Sequence, residues 1–299
     1  MIGELAALGT AILWAIAAVL YKRALLDTKP ISANIVRCAF TGVILIACLI
    51  VIGRITVLAS VSAQTSILAS LSGVVGLCFG DTLYMVSLKL AGVARAVSIT
   101  STYPLFNIVL AIFLRRETFS LWVVLSAVTI VLGIWFLSWG EKKDVEALHK
   151  RKLIRGVASA LATAVIWAVS ISMINMAVLL PETGSLDYAL AVNTLRNLAA
   201  AVFLLASAPI TDRNFHFLKM QRGTVLSLVS GGIAALAVGW FLLIVSFLYI
   251  PESQAVPISS TSPLFAAIAG MVFLREPLTP KIVAGLTLIV VGISLIFMV

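Results

Sequence analysis

The stretch from Ser98 to Glu117, SITSTYPLFNIVLAIFLRRE, returns 159 positions later as PISSTSPLFAAIAGMVFLRE, from Pro257 to Glu276. Each copy sets hydroxyl side chains before a proline, inside an apolar segment of about 20 residues, the length that crosses a bilayer. A proline within a helix removes one backbone donor and clashes with the carbonyl four residues earlier. Pro104 is therefore expected to free the carbonyl of Thr100, and Pro263 that of Ser259. In hydrocarbon such groups must be satisfied by hydroxyls, neighbouring helices or cavity water. Two kinked, hydroxylated helix centres thus point to a polar path at mid-membrane. Its candidate lining is Ser101, Thr102 and Tyr103 in one copy and Ser260, Thr261 and Ser262 in the other. The competing account has these hydroxyls bonding back to their own turns.

Composition excludes a soluble globular domain. Of the 299 residues, 62% are hydrophobic and 11% charged, with a mean hydropathy of +1.15. The net charge of +9 does not indicate nucleic acid, because the basic residues sit in short loops between apolar spans without an aromatic platform. Cys38, Cys48 and Cys78 lie inside apolar segments and lack metal-ligand spacing, so no metal site, disulfide framework or cofactor is expected. Lys22 and Arg23 follow the first span and no basic region precedes it, so the first helix is expected to remain in the mature protein.

Ten apolar segments can be read, at 3–21, 32–52, 67–88, 94–115, 120–139, 156–177, 187–208, 223–248, 253–274 and 280–298. The charged run 141–155, EKKDVEALHKRKLIR, separates a first repeat, 1–140, from a second, 156–299. At an offset of 153, Gly3 pairs with Gly156 and Trp14 with Trp167. From the second helix onward the offset is 159, pairing Asn34 with Asn193, Arg37 with Arg196, Gly73 with Gly232, Gly80 with Gly239 and Gly133 with Gly292. Five spans per repeat force the second half to insert upside down. The predicted fold is an all-α polytopic membrane protein of ten helices in two inverted five-helix repeats, with a solute site near the midplane between them.

Loop charge sets the expected orientation. Sixteen Lys and Arg residues lie on the side reached after odd-numbered helices, and only Arg54, Arg115 and Arg116 on the other. The positive-inside rule puts the basic side in the cytoplasm and both termini outside.

The chain resembles the drug/metabolite transporter superfamily, in particular the ten-helix EamA type with two tandem domains. The marks are Trp14 followed by Lys22, Arg37, the proline-centred fourth helix with Pro104 and Glu117, and Gly133. The second copy supplies Trp167, Arg196, Pro263, Glu276 and Gly292, with Asn175 in place of the lysine. The resemblance implies a basket in which helices 1, 3, 4, 6, 8 and 9 line a path and helices 5 and 10 lie outside it. It also implies secondary export of amino acids or related small metabolites at the cell membrane. Members usually have both termini in the cytoplasm, the reverse of what the loop charges here indicate.

Asp81 reads as the only acidic residue deep in a span, a default functional candidate and a site for proton coupling. Arg37 falls at a depth where it could meet Asp81, as a structural ion pair or as part of a solute or proton site. The competing account has it snorkel to the interface along its apolar stem, and Arg37 and Arg196 both read first as structural. Arg196 lies deeper in its helix, where a hydroxyl, carbonyl or anionic solute would face it, with Asn193 one turn away. Trp14 and Trp167 sit mid-span behind Thr10 and Thr163, as cavity wall or as helix packing. Tyr84, one turn from Asp81, adds amphipathic surface. Gly76 and Gly80, like Ala235 and Gly239, have the spacing of close helix contacts. Glu117 and Glu276 read as helix-end clamps, and His149 and His216 as solvated loop residues. Expected partners are a small-molecule solute, membrane lipid and protons but not nucleic acid, in a monomer or homodimer. An intramembrane enzyme would need a catalytic constellation that these residues do not form. Two readings stay open beside metabolite export: an organic-anion or sugar-phosphate exchanger, and a non-transporting lipid-binding or assembly protein.

Overall fold

The computed structural model describes residues 1–91, 96, 99–115, 120–138, 147–179, 184–265 and 280–296, and no strand occurs among them. The main helices are α1 (Ile2–Ala24), α2 (Pro30–Val51), α3 (Ala63–Ala91), α4 (Tyr103–Arg115) and α5 (Leu121–Ser138) in the first half. In the second they are α6 (Ala147–Leu179), α7 (Leu186–Thr211), α8 (Arg222–Phe247), α9 (Glu252–Ser259) and α10 (Pro280–Ile296). Six of these, α1, α2, α3, α6, α7 and α8, are long and apolar enough to cross a membrane, and α5 and α10 carry shorter apolar runs. Glu117, Glu276 and residues 141–146 of the expected linker lie outside the described residues.

Local chemistry sets the helix ends. Pro30 opens α2, where its missing N–H costs nothing. Ser62 and Ser185 cap α3 and α7 by accepting the N–H of Thr65 at 3.1 Å and of Tyr188 at 3.2 Å. Gly53, at φ +68°, supplies the left-handed residue after α2.

Apolar side chains face outward as well as into the core, and several polar ones are buried. Val19, Val43, Val202 and Leu226 are exposed on the rim, where lipid would cover them, while Asn34, Arg37, Arg196, Asn193 and Asn107 are buried. The fifth-helix glycines pack α5 on α10. A Cβ at Gly133 would lie 2.7 Å from the Gly285 carbonyl oxygen, and Ser126 Oγ donates to the Gly292 carbonyl at 2.7 Å.

Two matched π-helical stretches, Gly73–Gly80 in α3 and Ile233–Gly239 in α8, organise the centre. A π turn holds one more residue than an α turn and displaces carbonyls from the ladder. Duplicated side chains take up those carbonyls. Asn34 Nδ2 donates to Leu77 O at 2.7 Å, and Asn193 Nδ2 to Leu236 O and Ala237 O, both at 3.0 Å. Thr163 Oγ1 reaches Gly80 O at 3.3 Å and Thr10 Oγ1 reaches Gly239 O at 3.0 Å. The repeat's matched residues thus build one scaffold twice, with α6 against α3 and α1 against α8. Asn193 Nδ2 is used in this role, and the hydrogen bonds of Arg196, one turn away, go to Ser72 and Ser170.

Candidate solute path and its buried charges

The prolines act differently from the sequence expectation. The chain turns at Ser101 and Thr102, and again at Ser260 and Thr261, so each helix is divided rather than bent. Pro104 then lies in the first turn of α4, where no donor is required of it. The hydroxyls satisfy their own turns: Thr102 Oγ1 donates to Ile99 O, Ser260 Oγ to Pro257 O and Thr261 Oγ1 to Ile258 O, each at 2.7 Å. Ser101, Ser260 and Thr261 are buried, whereas Thr102, Ser262 and Pro263 are partly exposed. Tyr103 links the two breaks, with its hydroxyl 3.4 Å from Ser259 Oγ.

Asp81 follows the π stretch of α3 and is 6% exposed. One carboxylate oxygen pairs with Arg37 Nη2, and the other accepts Trp167 Nε1–H at 2.7 Å. Asn34 Oδ1 accepts Arg37 Nε–H at 2.8 Å, and the guanidinium lies 4.9 Å from the Tyr21 ring centre. Trp167 also meets Tyr84 at 5.0 Å and, edge to face, Tyr103 at 6.0 Å between ring centres. These candidates therefore form one cluster spanning α2, α3, α4 and α6. Trp14 belongs to the other half: its Nε1 donates to Ala235 O at 3.3 Å and its ring tilts on Trp240 at 5.4 Å. The small residues admit both indoles, since a Cβ at Gly80 would stand 2.7 Å from Trp167 Cδ1 and one at Gly239 3.0 Å from Trp14 Cδ1.

Arg196 has a different environment from its repeat partner. It is fully buried, Nε donates to Ser72 Oγ at 3.0 Å and Nη2 to Ser170 Oγ at 3.2 Å, and the guanidinium stacks 3.5 Å from the centre of the Trp240 ring. Nη1 has no acceptor, and Arg196 makes no ion pair among the described residues. Trp240 occupies the position that Asp81 holds in the first repeat, so a π face replaces the carboxylate here.

A second buried acid escaped the sequence reading. Glu252, 1% exposed, opens α9, one residue before the ninth apolar segment at 253–274. Its Oε1 accepts from Asn107 Nδ2 at 2.5 Å and Ser172 Oγ at 2.6 Å, and its Oε2 from Asn175 Nδ2. The available signal was the row of polar residues in α6, Ser170, Ser172 and Asn175, whose first-repeat counterparts are Ala17, Val19 and Lys22. Residues that differ between repeats, not those that match, carry this part of the site. His216 is also not simply solvated, as its Nδ1 lies 3.0 Å from Asp212 Oδ1.

Comparison with known proteins accords with this architecture. The profile of the EamA-like transporter family matches residues 1–139 and 154–298. An uncharacterized transporter of Archaeoglobus fulgidus is 26% identical over 299 residues, covering 100% of this chain and 99% of the relative. The threonine/homoserine exporter RhtA of Escherichia coli K12 is 27% identical over 202 residues, covering 66% of this chain and 60% of the exporter. A solved structure, described only as the crystal structure of a protein, superposes with a TM-score of 0.76 at 18% identity, over 98% of this chain and 95% of that one, and shows the shared fold. With nearly its whole length matched in two blocks, the chain belongs to the EamA-like transporter family and is a multi-pass membrane transporter.

Proposed function

We propose that this protein exports small zwitterionic metabolites of the amino-acid class across the cell membrane by alternating access, along a path between α3, α4, α6 and α9. The observation that carries the reading is Arg196, a buried guanidinium with no ion pair among the described residues and one nitrogen without an acceptor. A buried charge costs several kcal/mol unless it is compensated. A solute carboxylate would supply the missing partner. The solute's ammonium group would then engage Asp81 or Glu252, as opening of the path frees one or the other.

α6 provides a means of alternation. Trp167 donates to Asp81, while Ser172 and Asn175 on the same helix donate to Glu252. At about 1.5 Å rise per residue, Trp167 and Asn175 are roughly 12 Å apart along the axis. A shift of α6 against α3 or α9 would break one set of bonds and keep the other, giving two states with different affinity for protons and solute. Asp81 is the proposed proton-coupling group. The Escherichia coli relative named a threonine/homoserine exporter supports the solute class. An organic-anion exchanger is less well supported, because Asp81 already neutralises Arg37 and leaves Arg196 as the one buried cation without an ion pair among the described residues. The excess of basic loops on one side supports an orientation with the termini outside.

The test is counterflow of labelled threonine, homoserine and other amino acids in proteoliposomes of the pure protein. Saturable exchange of zwitterions, lost at least tenfold in Arg196→Gln, is expected for loss of a charged hydrogen bond. Exchange of sugar phosphates or dicarboxylates, with none of amino acids, would overturn the solute class.

A further inference from the structure

A cavity of about 410 Å³ lies away from the proposed path, between the α1–α2 loop, the C-terminal end of α3 and the α7–α8 loop. Its volume is in the range of small-molecule sites. The wall brings together Lys29 from the start of α2, Lys89 from the last turn of α3 and Lys219 from the loop before α8, with His216 beside them. Asp27 is the one carboxylate in the lining, so the cavity is strongly cationic. These residues are far apart in sequence, and folding alone places them around one space.

Two further features favour an anion. Gln221 and Thr224 place the N-terminus of α8 in the wall, and Gln221 gives no side-chain cap, so the first amides of a long helix are not used by a capping side chain. Asp212 is not available to neutralise the lysines. It is 2% exposed, and its oxygens are used by Ser32 Oγ at 2.9 Å, the Phe217 N–H at 3.0 Å and His216 Nδ1 at 3.0 Å. Lys89 Nζ reaches the Thr28 carbonyl at 3.5 Å, which ties α3 to the α1–α2 loop at the cavity wall. Exposed Leu26 adds an apolar rim. A basic pocket with an apolar rim at the end of a helical bundle matches the chemistry of a lipid phosphate at the membrane surface, and it equally suits a free phosphate ester.

We propose that this cavity binds a phosphate-bearing anion, held by Lys29, Lys89 and Lys219 and by the amides that open α8. Binding there would join the ends of α2, α3 and α8 and stabilise the face on which they meet. The proposal does not depend on which solute is transported.

The experiment measures thermal unfolding of the full-length protein in two arms. In nanodiscs, phosphatidylglycerol is compared with phosphatidylcholine. In detergent, glycerol 1-phosphate and inorganic phosphate are compared with chloride at equal ionic strength. Stabilisation by phosphatidylglycerol alone assigns the site to a lipid headgroup, and stabilisation by the soluble phosphates assigns it to a free ester. In either case Lys29→Gln, Lys89→Gln and Lys219→Gln should each weaken binding roughly fivefold. Lys22→Gln and Arg23→Gln, basic residues of the same face that do not line the cavity, should leave it unchanged. The proposal fails if neither arm shows stabilisation. It also fails if the shift survives removal of the three lysines, or is lost equally in the Lys22 and Arg23 variants, since the effect would then be diffuse surface charge.

Discussion

Trp167 Nε1 donates to Asp81 Oδ1 at 2.7 Å, so an indole from the second half of the chain holds the buried carboxylate of the first. Its repeat partner Trp14 donates only to a backbone carbonyl, at 3.3 Å. A hydrogen bond to a charged group contributes about 1.5–3 kcal/mol and a neutral one about 1 kcal/mol. Trp167→Phe keeps the ring contacts with Tyr84 and Tyr103 and loses the bond. It should therefore cut flux roughly tenfold and lower thermal stability, with a smaller effect on both from Trp14→Phe. Parallel flux and unfolding assays on the two variants check the difference.

The sequence made the duplication, the apolar spans and the meeting of Arg37 with Asp81 legible, because each follows from periodicity or from depth along a helix. The π stretches were hidden, since one extra residue per turn scarcely changes an apolar pattern that has no polar face. Glu252 was hidden for another reason. Its burial depends on Asn107, Ser172 and Asn175 arriving from two other helices, and a charge at a span's edge reads as loop. The hydroxyl runs fall where the chain turns, but a local turn that uses its own hydroxyls looks the same in sequence as a kink that exposes them.

Helix contacts at the π stretches should tolerate almost no added volume. A Cβ at Gly73 would collide with the Arg196 carbonyl oxygen, which is backbone and cannot swing away. Gly73→Ala should cost several kcal/mol, as overpacking does where nothing can yield. Gly223→Ala, with nothing within 4 Å of the added carbon near the start of α8, should instead be neutral or stabilise by about 0.5–1 kcal/mol. Denaturation in mild detergent distinguishes the two.

The Asp212 loop should make stability sensitive to acid. Burial pushes its carboxyl up, but hydrogen bonds from the Phe217 N–H, the Ser32 hydroxyl and His216 outweigh that and hold it below the usual carboxylate range. A depressed folded-state value stabilises the fold above the ordinary carboxyl pKa of about 3.9, and that contribution is lost as pH falls through the lower, folded value. Asp212→Asn should lower the unfolding temperature at pH 7 and flatten its decline below about pH 4. An unchanged acid limb would assign that limb to other carboxylates.

Proton coupling of the transport cycle is proposed to reside in Asp81, held by Arg37 and by Trp167 of α6. It is tested most directly by comparing efflux driven by a pH gradient with solute exchange at equal pH, in the same proteoliposomes, for Asp81→Asn. Removing one member of a buried pair can cost about 3–5 kcal/mol, so Arg37→Gln with Asp81→Asn, which leaves no unpaired charge, serves as the folding control. Gradient-driven efflux should be abolished in both while exchange remains measurable, and Glu252→Gln should impair both modes. Full gradient-driven efflux by Asp81→Asn would contradict that coupling and reduce Asp81 to a structural partner of Arg37.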